Sequence, residues 1–340
     1  MLVPSESKHN DAGMSFAAIL AKVSPCLDAL NVFLNQQVDV FEPEVQDMVR
    51  YCLQHQGKRI RPMLLFFSGW KEETPVQEDL VRAAAVIELV HLATLVHDDI
   101  LDEADTRHNS ETISAKYGAT VAVLLGDALF SHALHLATDF QTVEVCRAVS
   151  LSPRRVCAGE IRQTFERGNS HFPLEEYFRV IDLKTAELFR VACELGAKLG
   201  GYDEGYVRAV AEYGRRLGIA YQIFDDAADF LGDEAKIGKT LGTDLESGKY
   251  TLPLLLLLEK VPAEEATALV DSMAAGNADL KAISARMEET GVFSMVAARF
   301  AEEVAEAEER IGAFANLAPT PYLLQLSSYV KQQMAKLNIA

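Results

Sequence analysis

The chain has 340 residues, 49% of them hydrophobic and 24% charged, which fits a soluble globular protein with a deep core and excludes a disordered one. Its formal net charge of −18 argues against nucleic acid as a partner, because neutralising a phosphate backbone takes a basic face. Cys26, Cys52, Cys146, Cys157 and Cys193 are scattered without CxxC spacing, a pattern of buried thiols in a reducing cytoplasm rather than of disulfides or zinc.

Residues 1–14 read as a flexible leader, with acids and no apolar core, so neither a signal nor a transit peptide is expected. The longest uninterrupted apolar run, Leu252 to Leu258, contains Pro253 and is too short to span a bilayer. The expectation is a cytoplasmic protein without a transmembrane segment. From Met14 to Gln56 the pattern is helical, broken by Pro25 and again near Pro43. Gly57 to Pro62 is a basic loop leading into an apolar helix, Met63 to Trp70, and a turn at Thr74-Pro75 precedes a helix that runs from Leu80 to an acidic cluster. Asn109 to Gly118 reads as a loop. Helical segments follow over Ala119 to Ala137, Val143 to Arg167, Leu174 to Leu199 and Val207 to Phe230. Asp233 to Lys249, rich in Gly, Lys and Asp, reads as an ordered functional loop, and Leu252 to Leu337 as alternating helices. No strand-period run and no solenoid repeat interrupts this pattern. The fold class is all-α, with residues 15–340 as one helical domain.

The acidic cluster is Asp98-Asp99-Ile100-Leu101-Asp102-Glu103-Ala104-Asp105, at the end of an apolar run from Ala83 to Val96. At helical spacing Asp98, Asp102 and Asp105 share a stripe with Asp99 beside them, and like charges one turn apart repel. A solvated acidic helix end is the plain alternative; a cluster of oxygens for a hard divalent cation, Mg²⁺ above all beside a phosphate, is the sharper one. The spacing recurs 127 residues downstream in Asp225-Asp226-Ala227-Ala228-Asp229, again after a helical run. Gly57-Lys58-Arg59-Ile60-Arg61-Pro62 sets three cations in an otherwise acidic chain, and a Lys point charge with planar Arg forks suits a diphosphate.

Two DDxxD motifs, GKRxRP, the step Lys184-Thr185 and Gly248-Lys249-Tyr250-Thr251-Leu252-Pro253, in this order over roughly residues 50 to 255, resemble the trans-isoprenyl diphosphate synthases, or polyprenyl synthetases, in particular medium- to long-chain members. The resemblance implies a helical bundle of the isoprenoid synthase type around a deep central cavity, and a homodimer. It implies Mg²⁺, three ions with the diphosphate bound and Mn²⁺ as a substitute, held by Asp98, Asp99, Asp102, Asp225, Asp226 and Asp229. The implied substrates are isopentenyl diphosphate, at Lys58, Arg61 and His91, and an allylic prenyl diphosphate, at Arg107, Lys184, Thr185, Gln222 and Lys239, with Lys249 a further substrate-binding residue of the basic loop after the second motif. Asp98, Asp102, Asp225, Arg107 and Lys184 would carry the chemistry. Asp244 belongs to the same signature, and Gly159-Glu160 with Gln163 matches a family helix without an assigned chemistry.

One departure stands out. The family carries Arg-Arg-Gly after the first motif, whereas this chain reads Arg107-His108-Asn109, so the second cation, an isopentenyl diphosphate contact, is replaced by a His without a fixed charge. In the family the fourth and fifth residues before the first Asp help set product length. Here they are Thr94 and Ala93, small enough to leave room for a chain longer than farnesyl, with the next barrier deeper on the same helix and at Phe130 or Leu134. A geranylgeranyl-length product is the alternative. A terpene cyclase or head-to-head synthase would lack GKRxRP, and a regulatory subunit of a heteromeric synthase would lack intact acidic motifs.

Overall fold

The protein is described by a computed structural model covering residues 16–54, 57–72, 74–107, 110–231 and 241–337. In chain order the elements are α1 (Phe16–Val38), α2 (Pro43–Gln54), α3 (Ile60–Ser68), α4 (Glu78–Leu101), β1 (Thr106–Arg107), β2 (Ser110–Glu111), α5 (Ile113–Tyr117), α6 (Ala119–Thr138), α7 (Val143–Phe165) and α8 (Leu174–Ile181). A π-helical turn (Asp182–Ala186) then leads into α9 (Glu187–Leu199) and α10 (Glu204–Leu231). They are followed by α11 (Thr243–Glu246), α12 (Leu252–Lys260), α13 (Ala263–Ala274), α14 (Leu280–Glu289), α15 (Val292–Gly312) and α16 (Thr320–Ala335).

Between Ala83 and Val96 helix α4 has apolar residues on every side, broken by few polar ones, and such a stretch has to lie inside. It is enclosed by α1, α3, α6, α7 and α9, and Ala83, Ala84 and Ala85 are fully buried along it. Opposite, α10 packs on α9 and α15. One hydrophobic cluster runs from Ile19 in α1 to Met334 in α16. Helices α3 and α9 approach most closely at Gly196, where an added Cβ would stand 2.1 Å from the Leu65 carbonyl oxygen. This contact fixes the helix that carries the basic loop.

Several local expectations change. Pro25 lies within α1 and does not break it. Its exposed ring faces solvent, while Ile19, Val23, Cys26, Leu30, Leu34 and Val38 form one buried stripe on both sides of it, so packing outweighs the lost backbone bond. The segment read as a loop after Asn109 holds β2, paired antiparallel with β1, and α5, capped by Thr112 Oγ1 accepting from the Ala115 N–H at 3.1 Å. Asp105 lies past the end of α4, so it leaves the helical stripe of Asp98 and Asp102. Among the described residues, three helices are long and apolar enough to cross a membrane by length and composition; the most apolar 18-residue stretch is 72% buried inside the bundle for α4, against 28% for α1 and 39% for α6. A search for uninterrupted apolar runs passes over them because each is punctuated by charged or polar residues.

Candidate active site

A cavity of about 1470 Å³ opens between the end of α4, the N-terminal side of α3, and α7 to α10. It gathers the basic loop, the first acidic cluster, the π turn and the second acidic cluster around one space, with Leu92, Leu95, Val156, Val180, Ile181, Leu188 and Phe189 supplying apolar wall.

The basic wall begins at Lys58, exposed at the rim, its Nζ 5.8 Å from the Tyr329 ring. Arg61 Nη1 lies 3.0 Å from His91 Nε2, its guanidinium stacks 4.9 Å over Phe189, and its Nε has no hydrogen-bond partner. Burial lowers the Arg61 pKa, against the pull of Glu88. A desolvated guanidinium with donors to spare is an anion site. Arg59, between them, turns away into Glu88 and Asn31.

The last turn of α4 gives its three aspartates different fates. Asp98 faces the cavity; burial pushes its carboxyl up, Lys184 pulls it down, and it makes no salt bridge to another described residue. Asp99 is buried outside the cavity wall, where Arg107 Nε donates to its Oδ1 at 2.7 Å. Asp102, the C-cap of α4, accepts from Arg167 Nη2 at 2.8 Å and from Lys249 Nζ at 2.9 Å. Burial alone would raise the Asp102 pKa, but Lys249, Lys184 and Arg167 outweigh it and hold it below the usual range.

The end of α10 repeats the division. Asp225 lines the cavity. Asp226 is buried and accepts from Tyr177 Oη at 2.6 Å and Gln222 Nε2 at 2.7 Å; burial and then Asp244 push its carboxyl well up. Asp229 is fully buried outside the cavity wall, accepting from Thr243 Oγ1 at 3.3 Å and the Asp244 N–H at 3.2 Å. Asp99 and Asp229, expected among the metal ligands, are bonded into the scaffold: Asp99 points about 100° away from Asp98 toward Arg107, and Asp229, one turn beyond Asp225, is taken up by the Thr243 hydroxyl and the Asp244 N–H.

The π turn brings Lys184 and Thr185, adjacent in sequence, both to the cavity, which fits the use of such single wide turns at functional sites. Lys184 pairs with Glu160 and donates to Gln163 Oε1 at 3.1 Å, while Thr185 Oγ1 donates to Gln222 Oε1 at 2.6 Å. Burial disfavours the Lys184 charge, yet Asp98 and Glu160 more than offset it and raise its pKa. Thr94 lines the cavity, whereas Ala93 is 3% exposed and points into the bundle; no described residue of α6, Phe130 and Leu134 included, reaches the wall. His108 and Lys239 lie outside the described residues.

Sequence reasoning left Arg59, Glu88, Arg167 and Tyr177 without a role and gave Glu160 and Gln163 no chemistry. Glu88 had a signal, an acid inside the apolar run Ala83 to Val96, since a buried charge must be paired. The carboxylates facing the cavity are an all-oxygen donor set, which fits a hard divalent ion. Among the described residues no three acidic, His or Cys side chains already converge as a metal group, so a bound anion would have to complete the coordination.

Residues 42–289 match the family profile described as polyprenyl synthetase. The chain belongs to the polyprenyl synthetase family. This polyprenyl synthetase is 36% identical over 251 residues to heptaprenyl diphosphate synthase component 2 of Bacillus subtilis (strain 168), covering 71% of this chain and 72% of that one. It is 32% identical over 299 residues to octaprenyl diphosphate synthase of Escherichia coli (strain K12), covering 86% and 90%. A decaprenyl diphosphate synthase from Rhodobacter capsulatus superposes with a TM-score of 0.85 at 27% identity, over 94% of this chain and 99% of that one. As a polyprenyl synthetase the chain is a transferase, and its bundle is the all-α isoprenoid synthase fold expected from its motifs.

Proposed function

We propose that this polyprenyl synthetase condenses an allylic prenyl diphosphate with isopentenyl diphosphate, head to tail and in trans, giving a polyprenyl diphosphate longer than farnesyl. The observation that carries this reading is the single cavity shared by Asp98, Asp102 and Asp225 on two helix ends and by Lys58 and Arg61 on a separate basic wall. Two anion sites of different construction face one space that also has an apolar wall, as the joining of two diphosphates through their hydrocarbon ends requires.

In this reading Lys58, Arg61 and His91 hold isopentenyl diphosphate. Lys184, Thr185, Gln222, Lys249 and Arg107 surround the allylic diphosphate, and Lys239 and His108 are proposed as further diphosphate contacts from their motifs alone. Bound Mg²⁺, with Mn²⁺ as a substitute, would neutralise charge on the allylic diphosphate as its C–O bond breaks, and Asp98, Asp102 and Asp225 would hold it. Lys184 is poised to stabilise the same developing charge, since Asp98 and Glu160 keep it protonated. Leu92, Leu95, Leu188 and Phe189 exclude water from the carbocation. The double bond of isopentenyl diphosphate attacks that cation, and the released diphosphate takes the final proton. Small Thr94 on the wall leaves space for the growing chain.

The working form proposed is a cytoplasmic homodimer, joined at the face of α6 where Val123 is 44% and Leu124 64% exposed. A second reading, a subunit of a heteromeric synthase, is favoured by the name of the Bacillus subtilis relative, which makes that protein one component of an enzyme. Asp98→Asn and Asp225→Asn, made separately, each lower turnover by about a thousandfold in the presence of Mg²⁺, the scale of losing a group that acts on transition-state charge. Full condensation activity in either variant contradicts the assignment.

A further inference from the structure

Arg59 is held in the left-handed region, φ 54° and ψ 35°, at the N-cap of α3. Among the described residues it shares a positive φ with just one other that is not glycine, Glu103. A side chain with a Cβ disfavours this conformation, and it persists where the surroundings fix it. Here two anchors do so. Glu88 Oε2 accepts from Arg59 Nη1 at 2.8 Å, and Asn31 Oδ1 accepts from Nη2 at 2.9 Å. Glu88 is 4% exposed, one turn before His91 on α4, so its charge is tolerable because it is paired. Flanking this joint, Lys58 is free of any salt bridge to a described residue and Arg61 keeps an unpartnered Nε.

We propose that Glu88 is a positioning residue for the isopentenyl diphosphate site, acting through Arg59. Resting on the function proposed above, this divides the three cations of the loop: Lys58 and Arg61 meet the anion, while Arg59 is the strut by which α4 fixes the backbone between them. The turn at Arg59 is what lets Lys58 remain at the rim while Arg61 enters the wall beside His91.

The proposal carries a sign that separates it from simple electrostatics. Glu88 is a negative charge near an anion site, so removing the charge alone would tighten binding. Losing a positioning contact weakens it. Calorimetry with isopentenyl diphosphate on the full-length wild type, Glu88→Gln, Arg59→Gln and the double variant reads the difference, with geranyl diphosphate as the probe of the other site. Each single substitution is expected to weaken isopentenyl diphosphate binding about tenfold, and the double variant no more than the worse single one, as for residues acting in one chain of contacts. Geranyl diphosphate affinity is expected to move by less than about twofold, and Glu88→Asp to recover part of the loss. Unchanged or tighter isopentenyl diphosphate binding in Glu88→Gln overturns the proposal. So do additive effects of the two substitutions, or equal weakening toward both probes. If Glu88→Gln does not fold, Arg59→Lys, which keeps the charge and loses the planar fork to Glu88 and Asn31, is expected to weaken isopentenyl diphosphate binding likewise, and unchanged binding in it overturns the proposal. A wild type that binds isopentenyl diphosphate and makes no prenyl product refutes the functional reading, while the ratio of affinities still decides the role of Glu88.

Discussion

Asp102 engages Arg167 with one carboxylate oxygen and Lys249 with the other, so in this state two protein cations occupy the groups that a divalent ion would need. Asp98, one turn earlier, carries no such pairing, and the two aspartates of one motif therefore differ in readiness for a metal. The same residue-scale logic bears on product length. Thr94 stands on the cavity wall and Ala93 does not. Thr94→Phe therefore shortens the product distribution, read by chromatography of the dephosphorylated chains. Ala93→Phe overpacks the bundle instead, costing about 1–3 kcal/mol in thermal unfolding; a shortened product from Ala93→Phe alone contradicts this placement. The motif spacing identified Asp98, Asp102 and Asp225 because helical periodicity tells which residues share a face. It did not tell that Asp99 turns to Arg107, nor that Asp229, one turn past Asp225, is taken up by Thr243 and the Asp244 N–H.

At the scale of elements, the site depends on helices whose closeness glycine permits. Gly196→Ala would drive a methyl to 2.1 Å from the Leu65 carbonyl oxygen, a backbone atom that cannot swing aside. The expected cost is above about 2 kcal/mol, with α3 and its basic loop displaced. Thermal unfolding checks the first, and a weaker affinity for isopentenyl diphosphate the second; wild-type stability in Gly196→Ala would show that α3 and α9 are less tightly joined. Most helices were legible from apolar periodicity, α4 and α10 most clearly. The π turn was not, because one extra residue shifts a buried stripe by an amount that an unbroken helical pattern from Leu174 to Leu199 absorbs. The paired strands β1 and β2, two residues each, are too short for any period to register.

On the scale of the whole molecule, a chain of net charge −18 concentrates cations on the walls of one cavity: Lys58 and Arg61 on one side, Arg107, Arg167, Lys184 and Lys249 on the other. Those cations are both the recognition element for two diphosphates and the counter-charge that keeps the cavity carboxylates, Asp98, Asp102 and Asp225 among them, together before any metal arrives. The acidic surface elsewhere disfavours competing polyanions such as nucleic acids. The measurement that tests this most directly is an assay of the purified chain alone with isopentenyl diphosphate and a set of allylic primers, with Mg²⁺ and with excess chelator, followed by chromatography of the dephosphorylated product. The prediction is a series of all-trans chains extending past farnesyl, formed with Mg²⁺ and abolished by the chelator. No condensation from any primer, or products that stop at farnesyl, would contradict it.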